Sequence, residues 1–155
     1  MVIIGSSDLI KWIFDTNLLS ETKRPKPNRE VSIWLSTLAN EQIHTTTMNI
    51  AELEYGMHVS NDSMQKLEIA AWINRDLIPW LGDRIFTADQ ASLLRWRILS
   101  REREKLQEKA PTVDLLIAAI AHQNSAGVAT RDTAPFVACG IPTLNPWTGE
   151  RFNGA

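Results

Sequence analysis

Four carboxylates stand against apolar runs in this chain, and that placement narrows the folds open to it. Asp15 closes Trp12-Ile13-Phe14, and Asp114 opens the run from Leu115 to Ala121. Asp132 follows Val128-Ala129-Thr130 by one residue, and Glu52 sits within Ile50-Ala51-Glu52-Leu53. A carboxylate in apolar surroundings must neutralise, find a partner or bind a metal. A fold that gathers these four at one edge concentrates negative charge and calls for a divalent cation.

The apolar runs also set the architecture. Ile10–Phe14, Ile43–Thr46, Arg84–Phe86, Gly127–Thr130 and Pro142–Leu144 read as short strands. Between them the spacing is helical. Thr16 or Asn17 can cap a short helix through Glu21, and Val31, Trp34, Leu35 and Leu38 share one helical face. Thr47 caps a helix to about Ser60, and a second runs from Ser63 to Leu77, ending before Pro79. Thr87-Ala88-Asp89-Gln90 matches a capping box ahead of a long helix to about Lys109. Val113–Asn124 is apolar nearly all round and predicts a buried central helix. Strands alternating with helices predict an α/β fold, a parallel sheet covered on both faces. In such sheets ligands bind beyond the carboxyl ends of the strands, where Asp15 and Asp132 fall. Asp114, in the first turn of the helix before the fourth strand, can point to the same edge.

The 155 residues suit one domain, 1–155, with a real core. The net charge of −2 supplies no bulk attraction to nucleic acid, so any such contact needs a local basic patch. The one cysteine, Cys139, cannot form an internal disulfide and reads as a small core residue. Residues 1–8 are too short and polar for a signal peptide, and no apolar run reaches membrane length. A cytoplasmic protein with no membrane contact is expected.

Taken singly, each acid has an ordinary reading. Asp114 suits a helix N-terminus, Asp15 a helix cap and Asp132 a turn. Periodicity does not choose between Glu52 and Glu54, and Glu54 with His58 fits an i,i+4 surface pair. Together the acids offer hard oxygen ligands of the kind Mg²⁺ or Mn²⁺ takes. Such ions polarise a phosphodiester and activate water. Asn17, Thr130 and Thr16 can add hydroxyl or amide contacts. His44, His58 and His122 have no metal-ligand spacing, and His122 suits a helix C-terminus.

In four stretches the chain resembles the PIN-domain ribonucleases of the VapC toxin family. They are residues 13–21 (Ile-Phe-Asp-Thr-Asn-Leu-Leu-Ser-Glu), 50–56 (Ile-Ala-Glu-Leu-Glu-Tyr-Gly), 114–119 (Asp-Leu-Leu-Ile-Ala-Ala) and 128–133 (Val-Ala-Thr-Arg-Asp-Thr). Their order and spacing make the likeness specific, and Leu144-Asn145-Pro146-Trp147 points to the FitB-like subgroup. The resemblance spans about Trp12 to Trp147. It implies a three-layer α/β/α fold with a small central parallel sheet. It selects Glu52 over Glu54 and implies Asp15, Glu52, Asp114 and Asp132 as the catalytic and metal-binding quartet. It further implies Mg²⁺- or Mn²⁺-dependent endonucleolytic cleavage of RNA, a homodimer, and inhibition by a small DNA-binding antitoxin. Contact with DNA would come only through that antitoxin.

Two features depart from the family pattern. Residues 1–10 form an N-terminal extension, an extra strand or the product of an early start codon. Pro135 stands where many members carry an acid before the phenylalanine, here Phe136. Asn17 and Thr130 are candidate positioning residues. Arg131, Arg24, Lys23 and Lys26 are candidates for the RNA backbone, or simply a solvated basic surface. Trp34, Trp72 and the helix around Trp96 are expected at partner surfaces. The competing readings are a weakly or non-catalytic partner in a DNA-bound repressor complex, and a DNA nuclease.

Overall fold

The chain builds its sheet outward from one buried strand. The structure, a computed structural model, describes residues 9–109 and 111–154. Strand β1 (Trp12–Phe14) is buried along its whole length, a pattern that a sheet covered on both faces demands. It is followed by α1 (Thr16–Lys23) and α2 (Arg29–Ser36), then β2 (Ile43–Thr46) and α3 (Thr47–Val59). Next come α4 (Ser63–Ala71), α5 (Ile78–Leu81), β3 (Ile85–Phe86) and α6 (Gln90–Lys105). The last part holds α7 (Thr112–Gln123), β4 (Gly127–Ala129), α8 (Ala134–Ala138), β5 (Thr143–Leu144) and β6 (Arg151–Phe152).

The strand order is β3-β2-β1-β4-β5-β6. β1 pairs in parallel with both β2 and β4, with Ile13 opposite His44 and Val128. The chain first grows the sheet to one side of β1 and then, from β4, to the other. That reversal makes a crevice at the carboxyl ends of β1 and β4. Among the described residues, only β6 runs antiparallel, beside β5.

Alternation along β1 feeds two cores. Trp12 and Phe14 pack on one face with Leu18, Leu19, Val31 and Ile73. Ile13 packs on the other with Val128, Ile117, Ile120 and Phe136. Helix α7 lies in the second core with Ile117 to Ala121 all buried, as its apolar composition predicts. No helix among the described residues is long and apolar enough to cross a membrane.

Several boundaries differ from the sequence reading, for local reasons. β1 begins at Trp12 rather than Ile10, and residues 1–8 of the expected extension lie outside the described residues. The caps are Asp15, Thr46 and Asp89 rather than Thr16 or Asn17, Thr47 and Thr87. Each lies at the last extended position, where a side-chain oxygen can reach a free N–H of the first turn. The helix expected over Ser63–Leu77 runs on past Pro79 through a widened turn, Trp72–Leu77. There the Ile78 N–H donates to Ile73 O, five residues back. A π-type turn makes room for a proline that has no N–H to give. α8 and β6 are too short to show periodicity and are absent from the sequence reading.

Gly127 shows how tightly β4 is held. A Cβ there would lie 2.6 Å from Trp12 Cζ3 and 3.0 Å from Pro142 O. Gly127→Ala should therefore destabilise the chain by about 1–3 kcal/mol through overpacking. Urea unfolding of the two proteins checks this, and equal midpoints would contradict the packing.

Candidate active site

Asp15 leaves the carboxyl end of β1 and is only 8% exposed. Its Oδ1 accepts from the Thr16 N–H at 2.8 Å and from Asn49 Nδ2 at 3.1 Å. Its Oδ2 accepts from the Thr130 hydroxyl at 2.7 Å. Burial pushes the Asp15 carboxyl above its ordinary pKa, and Asp132 adds to the rise, while the bonds from Thr130, Thr16 and Asn49 oppose it.

Thr130, the residue after β4, connects the two halves of the site. Its oxygen also accepts from the Asp132 N–H at 3.0 Å and from Asn17 Nδ2 at 3.2 Å. Asn17 Oδ1 in turn accepts from the Arg131 N–H at 3.3 Å. The loop after β4 is thus tied to the first turn of α1.

Asp15, Glu52, Asp114 and Asp132 all line one cleft of about 530 Å³, beside Thr16, Asn17 and Ser20. Glu54 does not line it and faces solvent. Asp114 occupies the first turn of α7, where no side chain caps the helix. Its pKa is pushed up to about 6, first by burial and then by Asp15, Asp132 and Glu52. The four carboxylates therefore share one electrostatic field, and no cationic side chain lines the cleft among the described residues.

Among the described residues, no three acidic, histidine or cysteine side chains already stand around one point as a bound metal would require. The donor set nevertheless fits Mg²⁺ or Mn²⁺. It is made of oxygens, it faces one cleft, and its negative charge is unneutralised.

The cations expected nearby sit outside this cleft. Arg131 lies over the Trp147 ring at 4.2 Å. Arg24 pairs with the buried Glu21 at 3.2 Å. Glu21 is held below the usual carboxylate range by the Asn28 N–H first and by Arg24 next. Burial accounts for much of the tryptophan content. Trp34 packs against Trp12 and Phe14, and Trp72 and Trp96 are half-buried against the two cores. Cys139 is half-buried on the second core, and His122 is exposed in the last turn of α7.

Asn49 escaped the sequence reading. It is fully buried, and its amide reaches both Asp15 and Thr16 Oγ1, the latter at 3.2 Å. Its own Oδ1 accepts from the Thr46 hydroxyl at 2.6 Å. The available signal was a polar residue three after a capping threonine, at the foot of an apolar helix.

Fold and sequence relatives agree on the class. Residues 12–139 match the PIN domain, and the chain belongs to that family. Within it, the chain is 32% identical to the plasmid stability protein StbB of Pseudomonas syringae pv. tomato, over 87% of this chain and 97% of StbB. It is 30% identical to the toxin FitB of Neisseria gonorrhoeae, again over 87% and 97%. A structure of FitAB bound to an IR36 DNA fragment superposes with a TM-score of 0.79 at 30% identity, covering 87% of this chain and 94% of that one. The VapC ribonuclease Y4jK of Sinorhizobium fredii is 27% identical over 87% of this chain and 96% of its own length.

The raised Asp114 pKa has a measurable consequence. The folded chain holds this proton more tightly than the unfolded chain, so the group's contribution to stability falls as pH rises from about 3.8 to about 6. The loss amounts to at most about 3 kcal/mol before solvent screening. Asp114→Asn removes the penalty. The variant should match the parent near pH 4 and exceed it progressively up to pH 6, with a constant gap above. Melting both proteins across that range, without metal, tests the sign. A gap that stays flat would disprove the shared field.

Proposed function

We propose that this chain is the toxin of a toxin–antitoxin pair and that it cleaves RNA phosphodiesters with Mg²⁺ or Mn²⁺. The observation that carries the reading is the convergence of Asp15, Glu52, Asp114 and Asp132 on one cleft at the sheet's crevice. Family membership and the likeness to FitB and a VapC ribonuclease support it.

Asp15 is the fixed anchor, its two oxygens oriented by Thr130, Asn49 and the Thr16 N–H. Asp114, Asp132 and Glu52 supply the remaining oxygens. When bound there, the ion neutralises charge on the reacting phosphate and lowers the pKa of a water. Among the described residues the lining contains no histidine, lysine or cysteine to compete as base or nucleophile. Val113 and Ile117 form the apolar part of the wall and limit water around the reacting phosphate. Arg131, held on Trp147 and tied to Asn17, offsets the repulsion between the acidic cleft and the RNA backbone. Asn17 and Thr130 position groups rather than react.

A small DNA-binding antitoxin is the proposed partner, and DNA would be met through it, as the DNA-bound FitAB complex suggests by likeness. A homodimer and a cytoplasmic site of action belong to the same reading.

Purified chain with a defined RNA should cut it in Mg²⁺ or Mn²⁺ and not with chelator. Asp15→Asn and Asp114→Asn should lose at least about 100-fold in rate, and Asn49→Ala about 10- to 100-fold with its metal affinity weakened. Cutting that survives in both aspartate variants would place the chemistry elsewhere. No cutting by a folded parent would favour a non-catalytic member of a DNA-bound repressor complex.

A further inference from the structure

A second cleft, of about 440 Å³, opens beside the acidic one between α1, α3 and α4. The two share Thr16, Ser20 and Glu52, so they adjoin one another. Their chemistry differs sharply. The second cleft is walled by Leu53, Met57, Ile69 and Trp72 and bordered by Lys23 and Arg24. Glu52 and Gly56 lie one turn apart on α3, about 6 Å along its axis. At Gly56 an added Cβ would meet nothing within 4 Å, so the cleft is open along that side.

We propose that this second cleft receives the nucleobase flanking the scissile phosphate and thereby sets the base preference of cleavage. The proposal rests on the RNA-cleaving reading of the acidic site. The base lies against Trp72 and Met57, and Lys23 and Arg24 meet the adjoining phosphate. Arg24 is already oriented by its ion pair with Glu21. Single-stranded nucleic acid is held by aromatic platforms beside cationic tracks. Sequence in RNA is read mainly from unstacked bases. An apolar wall with cations at its border, adjoining the acidic centre, suits a base held beside the reacting phosphate. The volume suits a ligand pocket of about 300–1,000 Å³. An acidic cleft alone repels RNA, and Lys23 and Arg24 add to the attraction that Arg131 supplies.

Gly56→Phe fills the cleft from an exposed helical position. Glycine is the poorer helix former, so the variant should fold and melt no lower than the parent. The first experiment uses Asp114→Asn without metal, which leaves RNA intact, and single-stranded RNA carrying 5-iodouridine. Irradiation should crosslink the RNA to the peptides containing Trp72 or Met57, and adding Gly56→Phe should reduce that crosslink at least about tenfold. Crosslinks that map only elsewhere, or that Gly56→Phe leaves unchanged, overturn the proposal. The second experiment cleaves a randomised RNA pool with the parent and with Gly56→Phe. The variant should lose base preference at one position beside the cut. Its KM for the preferred RNA should rise about tenfold, about 1.4 kcal/mol, with a smaller change in kcat. An unchanged preference overturns the proposal. A Trp72 crosslink without any cleavage by the parent would sink the ribonuclease reading but keep the base cleft, and cleavage without that crosslink would do the reverse. Loss of antitoxin binding in Gly56→Phe with RNA crosslinks unchanged would assign the cleft to the protein partner instead.

Discussion

The burial of the Asp15 carboxylate organises the rest of this structure. A charge so poorly exposed needs several donors, and here they come from three different elements. Thr16 belongs to α1, Asn49 to α3, and Thr130 follows β4. Each bond to Asp15 therefore also fixes a segment relative to β1. Thr130 extends the network to Asp132 and Asn17, so the loop after β4 is held by the same carboxylate. A site built in this way is rigid because its orientation is shared with the sheet's own edge.

That rigidity has an energetic cost. Burial raises both Asp15 and Asp114, and the other acids raise them further. The metal-free fold carries this repulsion against a stability of only about 5–15 kcal/mol for a typical domain. It does so at the crevice that parallel topology makes between β1 and β4, where a ligand can enter beyond the strand ends. The apolar trough beside it is a consequence of the same geometry. α1 and α3 both start at the carboxyl edge, and Leu53, Met57 and Trp72 line a gap next to the acids.

Much of the layout was legible in the residues. The five parallel strands and the buried α7 follow from short β-branched runs and an all-apolar helix. Asp15 and Asp132 fall beyond strand ends because strand ends are visible as the close of an apolar run. Other features had no local signal. α8 and β6 are shorter than one period of any pattern. The continuation through Pro79 depends on a widened turn that packing stabilises, whereas local rules end the helix there. Asn49 reads as a helix-start residue until its amide is seen meeting Asp15 across 34 positions.

The sequence by itself determined the fold class, the central strand and the set of carboxylates that face an energetic problem. Those follow from local periodicity and from the cost of charge beside apolar chain. Only the tertiary structure decided which carboxylates share a field. It put Glu52 in the cleft and Glu54 in solvent, a choice that periodicity left open and that the family resemblance had anticipated. It also set Arg131 on Trp147 and joined the acidic cleft to its apolar neighbour. These are relations between segments distant in the chain. Their energies depend on distances that no local pattern encodes.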